Sequence, residues 1–235
     1  MNKIVNELGT EKISKLLIKQ AVPASIGILV MSLNMIVDTI FVGQWIGIMA
    51  IAAITVVLPI AFFISSIGMG IGIGGGSIIS RALGAKNFDK AFRTFGNQIS
   101  LTVGFSLLFV LLGTYFCFPI LQLFGANGDI VAPATEYFHV VIYGVPFFAF
   151  AMMGNPIIRA VGQPKFAMYT MIIPAIANIL FDILFIKVFQ WGMFGAGLAT
   201  TISYATSGLF VLGFFLSSKS SLSIQVKNFV LDFKI

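Results

Sequence analysis

The chain has 235 residues, of which 58% are hydrophobic and 9% charged, and its mean hydropathy is +1.03. Soluble domains carry about 25% charged residues, so this composition excludes a soluble fold and defines an integral membrane protein. The formal charge of +6 would suggest a nucleic-acid partner in a soluble chain. Here the placement of the basic residues accounts for it, and no nucleic acid is expected.

Residues 1–20 form a charged, helical-looking stretch with Ile4, Leu8, Ile13, Leu16 and Leu17 on one side and lysines on the other. It reads as an amphipathic lead-in able to lie on the inner interface. Six apolar segments follow, at 21–45, 46–67, 95–116, 133–158, 166–189 and 193–216. Each approaches the ~20 residues that a spanning helix needs. The expected fold is therefore all-α, a six-transmembrane-helix bundle over 21–218, with a polar cytoplasmic segment over 219–235. No small-residue cleavage site precedes the first segment, so it reads as a permanent span and not a signal peptide.

Lys3, Lys12, Lys15 and Lys19 precede the first span, and Arg81, Lys86, Lys90 and Arg93 lie between the second and third. Arg159 and Lys165 fall between the fourth and fifth, and Lys219, Lys227 and Lys234 follow the sixth. Only Lys187 lies on the opposite side. The positive-inside rule then places both termini in the cytoplasm, with Trp45 and Trp191 at outer interfaces.

The first span carries Pro23, whose missing N–H predicts a bend or a flexible first turn. It also carries Asn34 and Asp38, one turn apart on one face. An aspartate inside a spanning helix costs roughly 2.5 to 3.5 kcal/mol and marks an ion or substrate path. The glycine run 68–76 formally matches G-x-G-x-x-G at Gly70, Gly72 and Gly75, but it sits in an apolar run with no βαβ context. Gly68, Gly72 and Gly76 instead give the spacing of close helix packing. Residues 80–90 are expected to form a compact basic loop.

In the fourth span His139 lacks the partners a metal site would need and reads as an interfacial residue, and Asn155 is a polar group near its inner end. Cys117 is the only cysteine, which excludes an intramolecular disulfide and offers no metal site. In the fifth span Asn178-Ile-Leu-Phe-Asp182 repeats the spacing of Asn34 and Asp38, with a Phe three residues on and a Gln-Trp pair shortly after each copy. Pro174, one turn earlier, frees the carbonyl of Thr170. The sixth span opens with small and hydroxyl residues, Gly195 to Ser203, that suit tight packing and weak cation contacts.

Asp38 and Asp182 lie about 17 and about 16 residues into parallel spans, at nearly one depth, and can share a cavity. An apolar surround and a second carboxylate both disfavour the charged form, so the pair can exchange a proton. A sodium ion would use the same oxygens, at Asp38, Asn178 and Asp182. No cofactor is expected beyond a coupling H+ or Na+, and no catalytic constellation suggests an enzyme.

At these residues the chain resembles the multidrug and toxic compound extrusion (MATE) transporters. The resemblance rests on Val37-Asp38-Thr39-Ile40-Phe41-Val42-Gly43, Ser80-Arg81-Ala82-Leu83-Gly84, Arg159-Ala160-Val161-Gly162-Gln163-Pro164, Asn178 to Asp182, and Gly195-Ala196-Gly197-Leu198-Ala199-Thr200. It covers residues 10–218. It implies an inner-membrane antiporter that expels organic cations or amphipathic drugs against inward H+ or Na+ flow. The matching Pro23, Asp38, Asn178, Asp182 and Thr200 would belong to the cation site of the N-terminal lobe, together with Asn155. Such transporters carry two six-helix lobes, so the chain reads as one lobe and the start of the linker, truncated relative to a complete transporter and needing a second lobe or a second copy. Two other readings stay open. A lipid-linked precursor flippase of the same superfamily would line its cavity with basic residues, which these spans lack apart from Lys187. A non-transporting scaffold would not need the paired acids.

Overall fold

The computed structural model describes residues 12–217, 220–222 and 228–229. Six helices are long and apolar enough to cross a membrane: span 1 Ile13–Trp45, span 2 Ile48–Gly84, span 3 Phe88–Tyr115, span 4 Gly128–Ala160, span 5 Pro164–Val188 and span 6 Gly192–Leu216. A short helix, Cys117–Leu123, follows span 3, and no strand occurs among the described residues. The all-helical, six-span expectation holds, with shifted boundaries.

Span 1 starts at Ile13 and passes through Pro23 as one continuous helix. Residues 13–20 thus form its first turns, while the part of the expected lead-in before residue 12 lies outside the described residues. Span 2 continues through its glycines to Gly84. The basic loop expected over 80–90 therefore shrinks to Ala85–Asn87, where Asn87 Oδ1 accepts the Lys90 N–H at 3.1 Å and caps span 3. Arg159, expected in a loop, occupies the last turn of span 4.

The glycines persist in a helix because a neighbouring backbone takes the place of their side chains. A Cβ on Gly72 would lie 2.3 Å from the Met153 carbonyl oxygen, and one on Gly68 would lie 2.9 Å from that of Ala149. Spans 2 and 4 thereby run parallel at close approach. Gly76 is looser, its Cβ position being 3.5 Å from Ala160 Cβ. Gly75 makes room for the Gln98 amide of span 3, which donates to the Ile71 carbonyl.

Apolar packing divides into two clusters. One lies toward the tryptophan end and includes Val42, Val57, Phe138, Ile142 and Ile186. The other lies toward the basic end and includes Ile79, Phe95, Ile157, Val211 and Phe215. Leu222, in the segment read from sequence as a polar tail, is 1% exposed and belongs to the second cluster.

Gly72→Ala is expected to lower the melting temperature of the purified chain, because overpacking against a backbone carbonyl costs about 1 to 3 kcal/mol. Gly76→Ala, which meets ordinary van der Waals contact, should change it little. Equal shifts for the two variants in a detergent melt would refute this account of the span 2–span 4 seam.

Candidate cation site between spans 1 and 5

Spans 1 and 5 pack side by side in a fixed parallel register. Gly27 lies against Met171, a Cβ there falling 2.8 Å from its sulfur, and Asn34 Nδ2 donates to Asn178 Oδ1 at 2.7 Å. These pairs share one offset of 144 residues. The same offset brings Asp38 to Asp182, whose carboxyl groups meet within hydrogen-bonding reach. Two carboxylates bring no hydrogen to such a contact. Accordingly both oxygens of Asp182, a residue with 0% exposure, have no hydrogen-bond donor, and Asn34 Oδ1 has none either.

The surrounding side chains extend this polar cluster. Thr200 Oγ1 gives its hydrogen to the Ala196 carbonyl at 3.1 Å, which leaves the Tyr137 hydroxyl as donor in their 3.2 Å contact. Tyr137 and Tyr204 lie near enough to Asp38 for their hydroxyls to sense its charge. Immediately after Asp182 the helix widens into a π-helical stretch, Ile183–Val188. Such stretches are rare and frequent at functional sites. At its far end Lys187 Nζ lies 5.4 Å from the Trp45 ring centroid and ties the two spans together beyond the acids.

Span 6 supports span 5 where Pro174 interrupts its ladder. The freed Thr170 carbonyl accepts from Ser207 Oγ at 3.1 Å, and the Pro174 carbonyl accepts from Ser203 Oγ at 2.7 Å. Asn155 holds the start of span 5 by donating to the Ala167 carbonyl and to Thr170 Oγ1, both at 2.8 Å.

The chain resembles curated sequences and solved structures of one family. The MatE family profile matches residues 23–184. The chain belongs to the MATE family. It is 27% identical over 208 residues to the probable multidrug resistance protein YoeA of Bacillus subtilis (strain 168), covering 87% of this chain and 45% of that protein. It is 28% identical over 207 residues to the multidrug export protein MepA of Staphylococcus aureus (strain MRSA252), covering 88% and 46%. Among solved structures, the MATE multidrug transporter DinF-BH superposes with a TM-score of 0.86 at 42% identity, over 92% of this chain and 49% of that one. The chain spans about half the length of the curated relatives it matches, and its fold is one six-helix half of a MATE transporter.

Within this MATE lobe the structure brings together Asn34, Asp38, Asn178 and Asp182, with Thr200 joined through Tyr137. It does not bring Asn155 to them. Its partner Thr170 precedes Asp182 by twelve residues, about 18 Å of helix. Pro23 is buried and lies about 22 Å along span 1 from Asp38. Sequence reasoning missed Tyr137 and Tyr204. The signal was available in Tyr137, a phenol in an apolar helix whose hydroxyl needs a partner.

Ser207→Ala should leave the Thr170 carbonyl without a donor and lower the melting temperature, a loss of about 1 to 3 kcal/mol. In a Pro174→Ala background, where the restored N–H can reach that carbonyl, the same substitution should cost clearly less. Additive losses in the double variant would sink this assignment.

Proposed function

We propose that the chain is the cation-coupled lobe of a drug exporter, exchanging H+ or Na+ at Asp38 and Asp182 for the outward passage of organic cations or amphipathic compounds. The observation that carries this reading is the contact of Asp38 with Asp182, a fully buried acid whose two oxygens have no hydrogen-bond donor. Such a contact holds together only when a proton or a cation sits between the carboxylates, since two bare charges at this distance repel. Asn34 Oδ1, the Asp182 oxygens and the Asp38 carboxyl are hard oxygen donors suited to either ion.

Loss of the ion leaves like charges on two helices that are otherwise in register, and span 1 is the one free to yield. Apart from Gly43 against Ile51 of span 2, its packing is mainly on span 5, and its remaining face carries exposed Leu29, Leu33 and Ile36. Ion binding would favour the closed pairing of spans 1 and 5, and ion release the separated one, a population shift set by differential affinity. Pro23, with no N–H to give to the ladder, is the proposed pivot. Asn155, bonded to the start of span 5, would act by bracing that helix and not as an ion ligand. Thr200 would orient the Tyr137 hydroxyl beside Asp38.

Alternating access arises when one bundle rocks against another around a site near their interface. The chain's proposed partner is therefore a second six-helix lobe, whether the other half of a longer polypeptide or another copy. The basic loops are proposed to face the cytoplasm of an inner, plasma-type membrane, which places both ends of the chain on that side.

Asp38→Asn and Asp182→Asn should each abolish coupled extrusion of a fluorescent cation by the complete two-lobe transporter in energised vesicles. Each should leave membrane insertion near normal. Asn34→Ala and Asn178→Ala should weaken coupling less. Extrusion at the parent rate by both aspartate variants would show that the ion binds elsewhere.

A second consequence concerns stability. An asparagine at 182 supplies an N–H that can donate to Asp38, so the apparent melting temperature of Asp182→Asn should equal or exceed that of the parent. A marked loss would mean that the acid pair is not a repulsive contact in need of an ion.

A further inference from the structure

A cavity of about 490 Å³ opens between spans 1, 2, 4 and 5, on the basic side of the acid pair. Its wall is divided. Arg159, Gln20 and Ser77 supply donors at one part, while Met69, Met152 and Met171 with Ile28 and Ile73 form an apolar remainder. Among the described residues no carboxylate lines it. The Arg159 guanidinium is half-buried, and the contact it makes there is a weak one of 3.8 Å from Nη2 to the Met171 sulfur. A planar fork of five donors facing a thioether is poorly used, because guanidinium groups match carboxylate and phosphate oxygens two at a time. The other basic groups of this end are spent or exposed. Arg93 pairs with Asp89 at 3.0 Å, Arg81 Nε donates to the Ser77 carbonyl at 3.2 Å, and Lys165 points to the outside.

From this we infer that the cavity is a binding site for an anionic amphiphile, with Arg159 holding a phosphate or carboxylate head and the methionine wall holding its apolar chain. Unbranched thioether side chains adapt to tails of different shape, and a hydrophobic wall with a few convergent polar groups is the ordinary make-up of a ligand site. Gln20 and Ser77 supply neutral donors to the remaining head oxygens, while the Ser80 hydroxyl is committed to the Ser77 carbonyl at 3.1 Å. The site is separate from the acid pair in place and opposite to it in charge, and does not depend on the coupling proposed for those acids. One chemistry, an anionic head on an apolar chain, could come from a membrane phospholipid or from a soluble amphiphile.

The test uses the full chain purified in neutral detergent and titrated with dodecyl phosphate, dodecylphosphocholine or inorganic phosphate, with retained phosphatidylglycerol measured by mass spectrometry. Dodecyl phosphate should bind saturably and more tightly than the zwitterionic analogue. Arg159→Gln should weaken it about tenfold, as expected for loss of a charge-assisted pair. Lys165→Gln, which removes an exposed charge at the same end, should stay within about twofold. Ile73→Trp, which fills the apolar part, should weaken dodecyl phosphate while leaving the guanidinium intact.

Retention of about one phosphatidylglycerol per chain, lost in Arg159→Gln, would identify the occupant as lipid. Binding of dodecyl phosphate without such retention would identify a soluble amphiphile. Equal losses in Arg159→Gln and Lys165→Gln, or inorganic phosphate binding as tightly as dodecyl phosphate, would overturn the site. Where Arg159→Gln fails to fold, Arg159→Lys and Ile73→Trp decide: parent-like binding by Ile73→Trp, or no binding of dodecyl phosphate by the parent, refutes the proposal.

Discussion

Two carboxyl groups meet inside this lobe, those of Asp38 and the fully buried Asp182, and no neighbouring side chain donates to the Asp182 oxygens. In an apolar interior such a contact is unfavourable unless something positive joins it. The helices must therefore supply the restraint. They do so through a single parallel register, set by Gly27 against Met171 and by the Asn34–Asn178 bond, which carries over to the acids one turn later. Span 5 is in turn fixed by Ser203, Ser207 and Asn155, each bonded to backbone or hydroxyl groups near its proline. Span 1 packs on span 2 only near its end, where Gly43 lies against Ile51, and leaves Leu29, Leu33 and Ile36 exposed. The acid contact thus joins one well-held helix to one less covered helix.

The six spans and the pairing of the acids were legible in the sequence because both are written as periodic signals. Apolar runs of spanning length reveal helices, and the repeated Asn-x-x-x-Asp spacing reveals two matching faces. Helix ends were less legible. Hydropathy loses the helix at Gly68, whereas the backbone continues to Gly84 because the Met153 and Ala149 carbonyls occupy the space that side chains would need. Close approach of this kind is a property of the partner helix, and no local pattern announces it. Arg159 was placed in a loop for a related reason, since a terminal arginine adds little to hydropathy whether its turn is helical or not.

Side-chain partnerships at a distance were the least legible. Pro174 implied an orphan carbonyl on Thr170, but not that Ser207, 37 residues later, would supply the donor. Asn155 stood with the cation site through the family resemblance and not through any pattern of its own. Its hydrogens are instead committed to Ala167 and Thr170. Tyr137 lies between Glu136 and His139, whose polarity stands out more in the sequence. Both of those are exposed while the phenol is buried against the site. In a membrane helix, burial and not charge separates the groups that matter, and burial depends on the angular position of each residue against neighbours not yet known.

The acid pair and the cavity arginine lie apart along the length of the lobe. The acids sit toward the tryptophan end, where the phenols of Tyr137 and Tyr204 and the amides of Asn34 and Asn178 are neutral. The arginine sits in the cavity toward the basic end, with neutral hydroxyls and amides beside it. Asp182 and Arg159 are held apart by the whole inner half of span 5. At such separations neither satisfies the other. A salt bridge between them would have given each a partner. Keeping them apart leaves Asp182 without a donor and Arg159 with a weak thioether contact, and the glycine-packed seam of spans 2 and 4 supplies a close-packed backing to that arrangement.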